Sequence, residues 1–255
     1  MGRGLRAGGA APLSRANSPA AEVTREARRA VRWLWPALIL LVLGTAGLAL
    51  HIAEEILEGD VFASDRAILL ALRDPADLSR PIGPNWLLQS AIDVTALGGF
   101  TLLWTFGFAG VVYLLLRRRW AEAGWIAASL IGSELINSGL KSFFHRARPD
   151  VVPHLAEVST ASFPSGHAMS AAAVYLTLGV MLAETDPRPL GRVFVMGFMT
   201  LLSVAIGCTR VYLGVHWPSD VVAGWCLGAS WALIVFAANR GLRARRPAPS
   251  AAHPG

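Results

Sequence analysis

The stretch Ala161-Ser162-Phe163-Pro164-Ser165-Gly166-His167 runs directly into an apolar segment that begins at Ala168. A helix starting there aims its unpaired N-terminal N–H groups, the Ser165 hydroxyl and the His167 ring at one point, the geometry of an oxyanion site. Pro-Ser-Gly is also an ordinary turn ahead of an ordinary helix cap. What lies on either side therefore decides the reading.

Outward from this stretch the chain is a series of apolar runs, at 33–53, 94–116, 121–141, 167–184, 191–211 and 218–239. Each is near the length of about 20 residues that crosses a bilayer as a helix. Composition agrees: 54% of the 255 residues are apolar and 16% charged, against about 25% charged in soluble domains. The expected fold is all-α, a polytopic membrane protein built as a six-transmembrane-helix bundle over residues 33–239. Residues 1–32 read as a flexible Arg/Ala/Gly-rich tail. They do not read as a cleaved signal peptide, because the first hydrophobic core comes late and is long; an Arg-rich, acid-poor start also resembles an organelle transit peptide. Residues 240–255 read as a second flexible basic tail. The 54–93 segment is a long acidic loop, in which Ile68, Leu69 and Leu72 keep the spacing of a short interfacial helix. No repeat period shows, which argues against a solenoid. Cys208 and Cys226 both lie in apolar runs and read as buried small hydrophobes. A net charge of +6 does not point to nucleic acid, since the arginines cluster at the ends of apolar runs, where topology explains them.

An N-terminus inside the cell puts Arg25, Arg28, Arg29, Arg32, Arg117 to Arg119, Arg188, Arg192, Arg240, Arg243, Arg245 and Arg246 on the cytoplasmic side, as the positive-inside rule asks. Both termini are then cytoplasmic in a multi-pass cell-membrane protein. Lys141, Arg146, Arg148 and Arg210 fall on the outer face, where topology does not call for them. Lys141 is also the one lysine among 23 basic residues.

Three stretches at outer helix ends can converge: Lys141 to Pro149, Pro164 to His167, and Thr209 to Asp220. Lys141, Arg148 and Arg210 would gather three cations beside a low-dielectric slab, which is costly unless an anion offsets it. Arginine offers a planar fork matched to phosphate oxygens and lysine a point charge. The N–H groups of Ser165 and Gly166 add donors at a helix start. His216 and Asp220, four apart, let the carboxylate hold one ring nitrogen and leave the other as a nucleophile. His167 is a second imidazole, suited to protonate a leaving oxygen. A metal is not expected among His154, His167, His216, Asp150 and Asp220, because three basic side chains at the same place would repel it. Glu134 and Asn137 lie on the face that leads to Lys141 and read as its support. Arg146, His145, Asp150 and His154 read as loop residues, and Gly224 with Gly228 as a close helix contact.

These stretches resemble the tripartite signature of the type-2 phosphatidic acid phosphatase superfamily: Lys-x6-Arg-Pro, Pro-Ser-Gly-His and Ser-Arg-x5-His-x3-Asp. The first two match fully; the third has Thr209 where serine is usual. The resemblance covers roughly residues 90–238. It implies a membrane phosphatase without metal or other cofactor, acting through a phosphohistidine on a lipid phosphate or pyrophosphate. His216 would be the nucleophile, Asp220 its orienter and His167 the general acid. Lys141, Arg148, Ser165, Gly166 and Arg210 would hold the phosphate. Phosphatidate, phosphatidylglycerophosphate and polyprenyl pyrophosphate are the substrates it implies. Other readings share the cradle: a phosphotransferase passing the group to an alcohol, a vanadium-dependent haloperoxidase, against which six spans and small size argue, or a non-enzymatic lipid- or anion-binding protein.

Overall fold

The computed structural model describes residues 19–58 and 62–244, so residues 1–18 of the first proposed tail and 245–255 of the second lie outside the described residues, while 240–244 continue the last helix. Eight helices follow in chain order among these residues: α1 (Pro19–Leu57), α2 (Ala63–Ala71), α3 (Asn85–Ala96), α4 (Phe100–Leu116), α5 (Trp120–Phe144), α6 (Gly166–Thr185), α7 (Pro189–Tyr212) and α8 (Pro218–Ala244). The expected tail boundary at residue 32 is not a helix boundary, because α1 begins at Pro19. The Ala, Glu and Arg residues that precede the apolar run are strong helix formers, and proline is tolerated in a first turn. Among the described residues, 19–41 belong to one unit and Val42 onward to another.

Among the described residues four helices are long and apolar enough to cross a membrane, or five when the bent pair α3–α4 counts as one span. The six runs of the sequence do not map one to one onto these. The run at 121–141 is helix α5, but Glu122, Glu134, Lys141, Asn137 and several serines dilute its apolar face. The run at 94–116 breaks at Leu97-Gly98-Gly99, and α3 and α4 meet there at 43°. The 54–93 segment is not a loop with one helix. It holds the end of α1, then α2, and an antiparallel ribbon of β1 (Arg73–Asp74) and β2 (Asp77–Pro81), before α3 opens at Asn85. Among the described residues the fold is all-helical, as expected, with one small two-stranded ribbon.

Helix α6 packs against α5, α7 and α8. Its Ala168, Ala171, Ala172 and Ala173 are buried, and small residues are what let helix backbones approach in a membrane. Gly224 and Gly228 of α8 face the backbone and side chains of Ser165, Ala168, Met169 and Ala172, with no room for a Cβ. The expected close contact is therefore an α6–α8 contact. Trp225 lies over Gly207 and donates to the Ser203 carbonyl at 3.0 Å. Outward-facing Phe106, Phe108, Leu116, Leu190, Phe194 and Leu201 are exposed, an apolar surface that belongs against lipid. Cys208 also faces outward rather than being buried.

Candidate active site

The C-terminal ends of α5 and α7 and the N-terminal ends of α6 and α8 meet, and the 145–165 segment closes over them. Helix α5 stops where His145 takes the left-handed conformation, its N–H bonded to the Lys141 carbonyl at 3.2 Å. Helix α6 begins after Ser165, and α8 at Pro218, whose fixed φ suits a first turn. The α3–α4 corner reaches the same place. A side chain at Gly98 would run into Ile206 and the His167 carbonyl, so glycine lets this corner sit against the start of α6.

Together these ends enclose a cavity of about 390 Å³. Lys141, Arg148, Gly166, His167, Arg210 and His216 all line it. The sequence-predicted cations and both imidazoles thus share one space. Lys141 Nζ donates to Thr160 Oγ1 at 2.9 Å and to the Ala161 carbonyl at 2.7 Å. Arg148 donates to the Thr160 and Val215 carbonyls at 2.8 and 2.6 Å, and its Nη1 lies 3.3 Å from His216 Nε2. Arg210 donates to Thr95 of α3 at 3.0 Å while its buried Nε has no partner. The cations are fastened mostly through neutral oxygens, which leaves their charge for an anion.

Ser165 sits differently from the expectation. Its N–H donates to the Asp220 carbonyl at 3.1 Å, pinning the loop to the start of α8. That amide is not free for a ligand, and Ser165 Oγ is buried without a partner. Thr209 Oγ1 turns back to the Ile206 carbonyl at 2.6 Å within its own helix, so its hydroxyl serves α7. His154 Nε2 lies 2.7 Å from the Pro149 carbonyl, a bond internal to the loop.

Asp220 is completely buried. Its Oδ2 lies 3.5 Å from His216 Nδ1 and accepts hydrogen bonds from Ser162 Oγ at 2.5 Å and the Trp217 N–H at 3.0 Å. His216 Nε2 is left on the Arg148 side. The other carboxylate oxygen accepts from Arg146 Nη1 at 2.5 Å. Arg146 also donates to Ser219 Oγ at 2.8 Å and to Asp65 at 3.3 Å, and lies over the Trp217 ring. Asp65 of α2 in turn accepts from the Ser219 N–H and hydroxyl. Arg146 is therefore not a loop bystander but the buried cation between two buried carboxylates. The sequence marked it only as one more basic residue in the first stretch, and Asp65 carried no signal. A second buried arginine, Arg73 of β1, donates to the Tyr212 carbonyl at 2.8 Å. The negative end of α7 is its counter-charge, although burial holds its pKa below the ordinary value.

Burial pushes the His216 imidazole down to about 4, against the opposing pull of Asp220. An unfolded imidazole titrates near 6.5. Between those values the unfolded chain binds a proton that the native one does not, so stability from this group is complete above pH 6.5 and is lost as pH falls toward 4. The loss amounts to roughly 3 kcal/mol. Unfolding midpoints in detergent from pH 7 to 4 should fall more steeply for the wild type than for His216→Gln. Parallel curves would contradict a neutral buried imidazole.

The model of the PAP2 superfamily matches residues 122–243. Phosphatidylglycerophosphatase B of Bacillus subtilis (strain 168) is 34% identical over 148 residues, 56% of this chain and 70% of that protein. The lipid A 1-phosphatase of Rhizobium etli is 28% identical over 217 residues, 78% of this chain and 83% of that one. The crystal structure of a transmembrane PAP2 type phosphatidylglycerolphosphate phosphatase from Bacillus subtilis superposes with a TM-score of 0.66 at 29% identity, covering 82% of this chain and 98% of that chain. This chain belongs to the PAP2 superfamily, and like its structural neighbour it is a multi-pass membrane protein.

Proposed function

We propose that this chain is an integral-membrane lipid phosphatase, hydrolysing a phosphate ester or diphosphate of a lipid through a phosphohistidine and without a metal. One observation carries the reading: Lys141, Arg148 and Arg210 line one cavity with His167 and His216, all three sequence stretches contributing, and apolar Phe100, Leu103, Trp104 and Leu130 form part of its wall. Cations suit a phosphate, and the apolar wall suits the start of a lipid tail. Phosphatidate, phosphatidylglycerophosphate and polyprenyl pyrophosphate remain the candidate substrates. The names of the relatives, all lipid phosphatases, support the class.

In this proposal the chain crosses the cell membrane six times with both termini in the cytoplasm, α5 completing the count. The cavity then opens outward. His216 Nε2 attacks phosphorus, the bond from phosphorus to the leaving oxygen breaks, and His167 supplies that oxygen with a proton. His167 next takes a proton from water, the water oxygen bonds to phosphorus, and the P–N bond breaks to release phosphate. Lys141, Arg148, Arg210, the Gly166 amide and the Ser165 hydroxyl stabilise the equatorial oxygens. Asp220 holds Nδ1.

The test is phosphate release from a panel of lipid phosphates by detergent-purified protein in excess chelator. Release that survives chelation is expected. Release that chelator abolishes would overturn the metal-free reading, and no release from any lipid would overturn the phosphatase reading.

A further inference from the structure

The cavity is not uniformly cationic. Along α5 the residues that line it run Lys141, Ser138, Asn137, Glu134, Ser133, Leu130. Helical rise puts Glu134 about 10 Å along the axis from Lys141, on the same face. The order is thus cation, neutral polar groups, carboxylate, and then the apolar wall with Leu103 and Trp104. Lys141 makes its bonds to Thr160 and Ala161, whereas Glu134 accepts from Ser138 Oγ at 2.9 Å. Beside it Asn137 is nine-tenths buried and its Oδ1 has no partner. A second carboxylate, Glu157, stands on the exposed rim. Among the described residues that line the cavity, the only Lys or Arg side chains are the three of the phosphate cradle.

A carboxylate at membrane depth is costly unless a cavity and a donor receive it. Here a second, independent acceptor, the buried Asn137 amide oxygen, lies in the same stretch without a donor, while Glu134 receives one hydrogen bond, from Ser138. Both ask for hydrogen-bond donors on the ligand just past the phosphate. A diphosphate would bring its second phosphate toward a carboxylate with no further cation, a like-charge approach that disfavours it. A glycerol- or sugar-type hydroxyl would meet acceptors.

We infer that Glu134, with Asn137, is a specificity-determining group that selects phosphate monoesters carrying a hydroxyl-bearing linker beside the phosphate and rejects lipid diphosphates. This rests on the phosphatase reading above. Three probes on one diacyl tail separate the possibilities: phosphatidylglycerophosphate, phosphatidate and diacylglycerol pyrophosphate. In the wild type kcat/KM is expected to fall in that order. In Glu134→Gln the preference for phosphatidylglycerophosphate over the pyrophosphate should fall by about tenfold or more, the loss of a hydrogen bond to a charged acceptor, and Glu134→Asp should restore part of it. An unfolding midpoint measured alongside checks that each variant is folded. If Glu134→Gln lowers all three substrates by the same factor, Glu134 only supports Lys141 and the inference fails. It also fails if the pyrophosphate is the best wild-type substrate. Wild-type protein that releases phosphate from none of the three contradicts the phosphatase reading itself.

Discussion

His216→Ala should lower phosphate release by about four orders of magnitude or more, leaving a folded protein that still binds phosphate. The size follows from the proposed role: when a group forms the covalent intermediate, the remaining members of a catalytic unit cannot replace it. The residual rate would come from the cationic cradle, which stabilises charge without attacking phosphorus. The geometry is suited to this role, since Nδ1 lies 3.5 Å from a fully buried carboxylate and Nε2 faces Arg148 at the cavity. A rapid-quench experiment with substrate labelled in the phosphate should trap label on the wild-type chain that is stable to base and labile to acid, and none on His216→Ala. Substantial turnover by the variant, or equal labelling of both proteins, would remove His216 as nucleophile.

The second large effect falls on a residue that touches no ligand. Arg146→Met should destabilise the protein by about 3–5 kcal/mol, the usual result of stripping a buried carboxylate of its only cation. For a chain of this size that is a fall of about 10 °C in the unfolding midpoint. The Arg146 side chain is 7% exposed, and its partners Asp65 and Asp220 are 2% and 0% exposed. Without it both carboxylates stay buried beside each other, and Asp220 is no longer free to hold His216. Turnover should therefore fall together with stability. Arg146→Lys should recover only part of both, because one ammonium cannot reproduce a fork that spans two carboxylates and a serine hydroxyl. Adding Asp65→Asn to Arg146→Met should return some stability by removing one orphaned charge. A midpoint for Arg146→Met within a degree of the wild type would show that the pair contributes nothing.

The contrast between His216 and Arg146 marks what a chain of residues can reveal before it is folded. His216 and Asp220 are four apart, Glu134 and Lys141 seven apart, and Gly224 and Gly228 four apart. Helical geometry places the last two pairs on one face, and His216 sits close enough ahead of α8 for Asp220 in its first turn to reach it, so their relation was legible. So was the membrane character, since apolar runs near bilayer length need no tertiary partner to be recognised. The three basic and histidine-bearing stretches could be assigned to helix ends for the same local reason. The count of spans was less legible. A run such as 94–116 does not reveal that Gly98 and Gly99 let the chain turn there, and several of the polar groups of α5 face the cavity.

What only the tertiary structure decided lies in contacts between distant segments. Asp65 meets Arg146 across 81 residues and Ser219 across 154. Thr95 meets Arg210 across 115. Ser165 gives its N–H to Asp220 rather than keeping it for a ligand. No periodicity encodes such pairings, because they depend on which helix ends converge and on how far the burial of one charge demands another. The sequence by itself determined a membrane-helical chain with a phosphate-suited set of residues at its helix ends. The fold alone decided that a short helix, α2, in an acidic segment supplies the carboxylate that completes the ion network behind the imidazole.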